Sequence, residues 1–360
     1  MKDDGNFLKK AGALMGLVGR FGGYTQEINE LAREAGMTPV AAASAKKVYD
    51  SFFKRYERPD YGLKAGVYCM ARTNAERKEL EIMRGGVKLK GYFYPAKRSR
   101  GTVVLAHGIH AGADDLLPLA LKFVRNGYDV LSYDGTGTYD SEGEGTVGLC
   151  QALVDLNGVL NYVKESGSFR KPLFLTGHSC GGYAVTSVLA LHGGISACAA
   201  IAPPNNCFTL ILEKGRQYAG GLAANELSRE FLNAYQKRLF GDFSGCSGVK
   251  GINSVDIPVL VAHGLNDKVI TLGKQSIIAR KHEITNRNVS YYLGTGLADG
   301  HDSVWHSFRA EEYRREVDEK AKEMDDEAQR REFFATVDHE RYSEVNDALF
   351  EGIITAFERA

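Results

Sequence analysis

Between residues 100 and 300 the chain repeats one pattern: a short run of consecutive apolar residues, a turn, then a stretch with apolar positions at helical spacing. The runs at 102–106, 128–133, 172–176, 197–202, 258–262 and 290–293 show no polar alternation, as expected of strands buried on both faces. The intervening segments 116–126, 148–165, 182–191 and 272–283 read as helices. Strands and helices in alternation predict the α/β class, a mostly parallel central sheet with helices on both faces. Ahead of it, 80–83 and 87–94 joined by Gly85-Gly86 read as an antiparallel hairpin.

Three regions depart from the alternation. Residues 1–60 contain no strand-like run and predict a helical N-terminal extension. There Thr25 precedes Ile28, Leu31, Ala32 and Ala35, Gly36 follows, and Thr38-Pro39 opens a second helix through Val48 and Phe52. Within the sheet domain, 79–360, residues 203–254 leave the end of a strand with helical patches at 210–218 and 225–240, and predict a cap insertion over that edge. Residues 307–342 are dense in charges of both signs, with Glu311 spaced for Arg315 and Glu316 for Lys320, and predict a solvated helical insertion. The apolar stripe Val345, Leu349, Ile353, Phe357 marks a last covering helix.

Composition narrows the function classes. Of 360 residues, 45 are Lys or Arg and 45 Asp or Glu, so no net field draws nucleic acid or an anionic surface. The six cysteines form no C-x-x-C pair, and Cys150, Cys180 and Cys198 fall in apolar segments, which predicts free thiols in a reducing compartment. Lys9 and Lys10 before the apolar stretch 11–18 look like a signal sequence. Asp3, Asp4 and Arg20 and the lack of a small-residue cleavage site argue for a helix instead. No stretch reaches the ~20 apolar residues of a membrane span. A cytoplasmic protein is expected, and a homo-oligomer stays open.

The chemistry centres on Gly177-His178-Ser179-Cys180-Gly181, placed between an apolar strand and a small-residue helix. G-x-S-x-G puts a serine on a sharp strand-to-helix turn, and glycine on both sides leaves room for the neighbouring strand and helix. A serine hydroxyl needs a base and a group that orients the base. His301 follows the last predicted strand and Asp267 the one before it, giving the order Ser179, Asp267, His301. Asp299 and Asp302 flank His301 and are alternative orienting groups. The oxyanion donors are expected at the Cys180 and Ile109 amides, the latter in the glycine-containing loop 106–112. His110, Phe208 and Tyr218 are the candidate substrate-binding residues. His107 and His263, each beside a glycine at a strand end, read as hydrogen-bonded structural histidines, and His178 as packing beneath the serine. No H-E-x-x-H or carboxylate cluster predicts a metal.

On these residues the chain from about 79 onward resembles the α/β-hydrolase superfamily, in the branch of monoacylglycerol lipases, serine aminopeptidase-like hydrolases and bacterial esterases. His107-Gly108, Asp134 to Gly143, the Ser179 elbow, His263 to Asp267 and Gly300-His301 carry the resemblance. It implies a cofactor-free serine hydrolase that takes a small-molecule ester through an acyl-enzyme. A peptidase or thioesterase with the same triad, or a non-catalytic ligand-binding protein on this scaffold, are the alternatives. A dehalogenase would need a carboxylate at position 179. Members of this branch usually carry arginine in D-x-R-G-x-G-x-S, where this chain has Thr136.

Overall fold

The computed structural model describes residues 24–63, 70, 73–219, 226–273 and 275–360. In chain order its elements begin with α1 (Gln26–Glu34), α2 (Pro39–Phe52), β1 (Lys78–Arg84), β2 (Val87–Tyr94), β3 (Thr102–Ala106), α3 (Leu117–Arg125) and β4 (Asp129–Tyr133). Then come α4 (Gln151–Ser166), β5 (Leu173–His178), α5 (Cys180–Ser187), β6 (Ile195–Ile201), α6 (Cys207–Ala219), α7 (Glu226–Phe240) and α8 (Gly248–Asn253). The chain ends with β7 (Val259–Gly264), β8 (Val289–Gly294), α9 (Phe308–Lys322), α10 (Glu327–Thr336), α11 (His339–Tyr342) and α12 (Asp347–Glu358). Two compact units emerge: the described parts of Met1–Lys54 with Cys207–Gly245, and Arg55–Asn206 with Cys246–Ala360.

In the smaller unit, Thr25 and Thr38 cap α1 and α2 by accepting from the Ile28 and Ala41 amides. The two helices pack against α7, where Arg238 reaches Glu30 and Glu34 at 3.1 and 2.7 Å. Gln236 donates to Tyr49 Oη, and Tyr235 Oη to Asp50. Helices before the sheet and helices inserted after β6 thus share one packed unit, a pairing that spacing along the sequence does not reveal.

The larger unit is an eight-stranded sheet in the order β1-β2-β4-β3-β5-β6-β7-β8. β1, β2 and β4 pair antiparallel and the remaining neighbours run parallel. Every residue of β3, β4, β5 and β7 is buried, which is why these strands read as unbroken apolar runs. One face is covered by α3 and α12: Phe357 stacks on Phe174 at 4.4 Å and also meets Phe123 and Tyr128. α4, α5 and α8 pack together on the other face.

Three expectations need correction. Among the described residues of 272–283 there is no α-helix, and Ile278–Glu283 alone coils, as a 3₁₀ stretch interrupted at Arg280. The preceding residues spend their hydrogen bonds elsewhere, with Ser276 bridging Pro204 and the Gln275 carbonyl accepting from the Asn205 amide. Nor is β8 buried on both faces: Tyr291 and Leu293 are 40% and 45% exposed on the last strand of the sheet. In α9, Glu311 pairs with Arg314 and His306 rather than with Arg315.

The loop 134–143 is held by arginines from outside it. A strap at residues 55–58 lies along it, with Tyr56 exchanging backbone hydrogen bonds with Gly137 and Tyr139. Arg55 donates to the Tyr139, Ser141 and Gly143 carbonyls. Arg58 reaches Asp114 and Asp140, the latter at 2.7 Å, and sits 3.7 Å from the fully buried Asp134. Thr136, where an arginine was expected from the resemblance, is joined instead by Arg84 of β1. The Arg84 guanidinium donates to Thr136 Oγ1 at 3.0 Å and lies 2.9 Å from Asp155. Asp155 is buried beneath the loop and also accepts from the Thr136 amide and Gln151. The cation missing from the loop is thus supplied from the hairpin.

Removing one partner of a buried ionic cluster strands the others. Arg58→Ala leaves Asp134 and Asp140 without their cation and is expected to cost roughly 2 kcal/mol, below the full buried-pair loss because Arg58 is part-exposed. The urea midpoint at constant m-value measures it; an unchanged midpoint would show that the strap carries no stability.

Candidate active site

Ser179 follows the last residue of β5 and precedes the first of α5, so the chain must reverse from strand to helix at one residue. It does so with φ 55° and ψ −118°, a backbone region that side chains rarely adopt. The flanking glycines are required by contact: a Cβ on Gly181 would lie 2.1 Å from the Ala106 carbonyl oxygen, and one on Gly177 2.3 Å from that of Gly181. The turn is tied to the sheet through the Ser179 amide, which donates to Ile201 O at 2.8 Å.

Asp267 and His301 come from the ends of β7 and β8. The hydroxyl of Ser179 is 2.9 Å from His301 Nε2, and His301 Nδ1 is 2.7 Å from Asp267 Oδ2. The second oxygen of Asp267 accepts from the Val269 and Ile270 amides at 2.8 Å each, which fixes the carboxylate plane. Burial opposes charge on Asp267. Hydrogen bonds from His263 and His301 and from the Ile270 amide outweigh that burial and hold the carboxyl well below the usual carboxylate range. Of the three aspartates near the imidazole, Asp267 alone is bonded to its ring. Asp299 accepts from Asn266, and the side chain of Asp302, largely exposed, lies 3.7 Å from His178 Nε2.

The histidines at glycine-flanked strand ends hold loops in place. His107 bonds the Gly108 carbonyl and the Gly135 amide, and His263 the Ile270 carbonyl, with Asp267 at 3.2 Å. His178 is buried with its ring 4.9 Å from that of His301 and Nε2 3.1 Å from the His301 carbonyl oxygen. Burial, then the neighbouring His301, push its pKa down to about 4, so the ring is neutral at pH 7.

A cavity of about 370 Å³ opens on this group, lined among others by Ser179, His301, Ile109, His110, Trp305 and Arg314. The loop carrying Ile109 lies against the serine, for a Cβ on Gly108 would be 3.2 Å from Ser179 Cβ. His110 has φ 56° and its ring meets that of Tyr56 at 5.5 Å, so the strap at 55–58 also braces the cavity wall. Cys180 begins α5 as a free, buried thiol that burial pushes up to about 11. Phe208 lies in the first turn of α6, in the smaller unit, and the side chain of Tyr218 falls outside the described residues. Sequence reasoning missed Arg314. It sits in the charged stretch that reads as solvated, yet it packs 4.3 Å over Tyr342 and lines the cavity. Its four-residue distance from Ala310, buried on the same helix face, was the available signal.

Among the described residues no helix is long and apolar enough to cross a membrane. Residues 97–224 match the hydrolase family described as serine aminopeptidase, S33. An esterase of Pyrococcus furiosus is similar in structure. Its P212121 crystal form gives a TM-score of 0.52 at 19% identity over 79% of this chain and 98% of that one. Its C2221 form gives 0.52 at 20% identity over 72% and 95%. No curated protein sequence is a significant match. The parallel sheet, its strand order, the strained serine after β5 and these likenesses agree, and the chain has the α/β-hydrolase fold.

Proposed function

We propose that the protein is a serine hydrolase that cleaves carboxylic esters through an acyl-enzyme. The observation that carries this is the unbroken hydrogen-bonded chain from Ser179 through His301 to Asp267. With Nδ1–H bonded to the Asp267 carboxylate, Nε2 of His301 presents its lone pair to the serine hydroxyl. As Oγ attacks the acyl carbon, its proton passes to Nε2 and the imidazolium formed is stabilised by Asp267. The Ile109 and Cys180 amides take the developing oxyanion, and the first turn of α5 adds the positive end of its backbone dipoles. His301 then protonates the departing alcohol and draws a proton from the water that releases the acid. No step calls for a cofactor. His110, in the cavity wall, is the residue proposed to meet the substrate.

The match to the serine aminopeptidase family favours amide cleavage as a second reading. The same groups serve both, because the bond broken depends on leaving-group protonation and pocket shape. Comparing matched esters, thioesters and aminoacyl anilides ranks them by kcat/KM. A dominant anilide rate would replace the ester reading.

Ser179→Ala should lower turnover by roughly 10⁵ to 10⁶, with unchanged circular dichroism, since binding and oxyanion donors alone remain. Retention of even a tenth of the rate would remove the nucleophile assignment. Labelling by a fluorophosphonate should vanish in the same variant. A non-catalytic protein would not label at all.

Asp267→Asn should cost about 10⁴ in kcat, because an amide cannot stabilise the imidazolium. Asp299→Asn and Asp302→Asn lack a bond to the ring and should cost far less. Assayed side by side on one ester, collapse of either neighbour with a near-normal Asp267→Asn would move the orienting role to that neighbour.

A further inference from the structure

The residue ahead of the serine and the residue after the histidine have no part in the proposed chemistry, yet both converge on the base. One ligand atom from each of His178, His301 and Asp302 lies within 4.8 Å of the others. All three residues also line the cavity, so an ion from solvent reaches them. We propose that these residues form an inhibitory site for a borderline divalent cation of the Zn²⁺ type, which shuts the enzyme off by occupying the nitrogen that must accept the serine proton.

The donor set decides the class of ion. Two imidazoles and one carboxylate suit Zn²⁺ and its neighbours, whereas Mg²⁺ and Ca²⁺ prefer oxygen ligands. Tetrahedral Zn²⁺ with bonds near 2.0–2.1 Å places its donors about 3.4 Å apart, so each of the three atoms moves inward by less than about 1 Å. Asp302 can make that move because its side chain is largely exposed and accepts no hydrogen bond from the histidines at its present 3.7 Å. For Nε2 of His178 to ligate, the ring takes the Nδ1–H tautomer and gives up its contact with the His301 carbonyl.

His301 is already prepared. A carboxylate bonded to one ring nitrogen orients the imidazole and raises the basicity of the other, and metal sites use that same arrangement around their histidine ligands. With Nδ1 held by Asp267 at 2.7 Å, Nε2 is the nitrogen left for the ion, which would replace its 2.9 Å hydrogen bond with the Ser179 hydroxyl. The feature that makes His301 a good base for serine makes it a good ligand, and the two uses exclude each other. The fourth position on the ion is left to water or to the serine oxygen.

The test uses the full chain. In the wild type, Zn²⁺ is expected to inhibit ester turnover in the micromolar range, with full recovery on adding a chelator, and Mg²⁺ to have no effect. Each variant is referred to its own metal-free rate. His178→Asn and Asp302→Asn should each raise the inhibition constant about tenfold or more. Asp302 is exposed, so that variant decides if the other does not fold. An active wild type untouched by millimolar Zn²⁺, or variants inhibited at wild-type concentrations, would overturn the site.

Inhibition as the readout rests on the hydrolase reading, but the site does not. Co²⁺ titrated into the same protein should give the intense visible absorption of a tetrahedral complex, weakened in both variants. If no ester is turned over and the fluorophosphonate fails to label, the hydrolase reading falls, and the Co²⁺ spectrum alone decides the site. A spectrum without that absorption, or one unchanged by either substitution, overturns it.

Discussion

One residue's backbone geometry organises this molecule. Ser179 is held at a positive φ with a strand ending on one side and a helix beginning on the other. Such a conformation costs of order 1–3 kcal/mol and persists only where the surroundings over-determine it. Here they do: the serine amide is bonded to β6, α5 closes against the end of β3 with no space for a side chain at Gly181, and α8 packs against α5 behind it. The strain directs Oγ outward, and the central parallel strands supply the rigidity that keeps it there.

Around this rigid turn the larger unit buries charges that must be paired. Asp134 and Asp155 are both buried, and burial raises the pKa of each. Their hydrogen bonds from Ala113, Thr136 and Gln151, and the nearby Arg58 and Arg84, offset part of that cost. The guanidiniums arrive from residues 55–58 and from β1, segments far from the loop in sequence. Through Tyr56 and His110 the same strap touches the wall of the cavity at the serine. Loop order and site geometry therefore share their supports.

What was legible in the sequence follows from how local each signal is. β3, β5 and β7 are buried on both faces, and their unbroken apolar runs announced them within two residues. Ser179, Asp267 and His301 were readable because the elbow is a contiguous motif and each partner follows a strand end. The helix expected at 272–283 was not, because its hydrogen bonds go to Pro204 and Asn205, partners some seventy residues away, and local periodicity carries no trace of them. Arg55, Arg58 and Arg84 escaped for the same reason. An arginine in a polar stretch looks identical whether its guanidinium faces water or a buried aspartate. The substitution of Thr136 for the arginine seen in the resembling branch was visible; its compensation from another strand was not.

The separation of the three bonded groups has a kinetic meaning. Ser179 and His301 are 122 residues apart in the chain, yet their side chains must meet within a hydrogen bond. Between β5 and β8 lie two further strands, each in parallel register with the next, and parallel pairings close late because loop entropy is lost before contacts form. A slip of two residues at any of these pairings would displace the imidazole by about 7 Å, well beyond reach of the hydroxyl. A chain that has formed β3, β5 and the elbow alone thus carries a serine hydroxyl with no imidazole beside it. The hydrogen-bonded chain from Ser179 through His301 to Asp267 is complete only when the last strand docks, so the site cannot be assembled on a partly folded sheet.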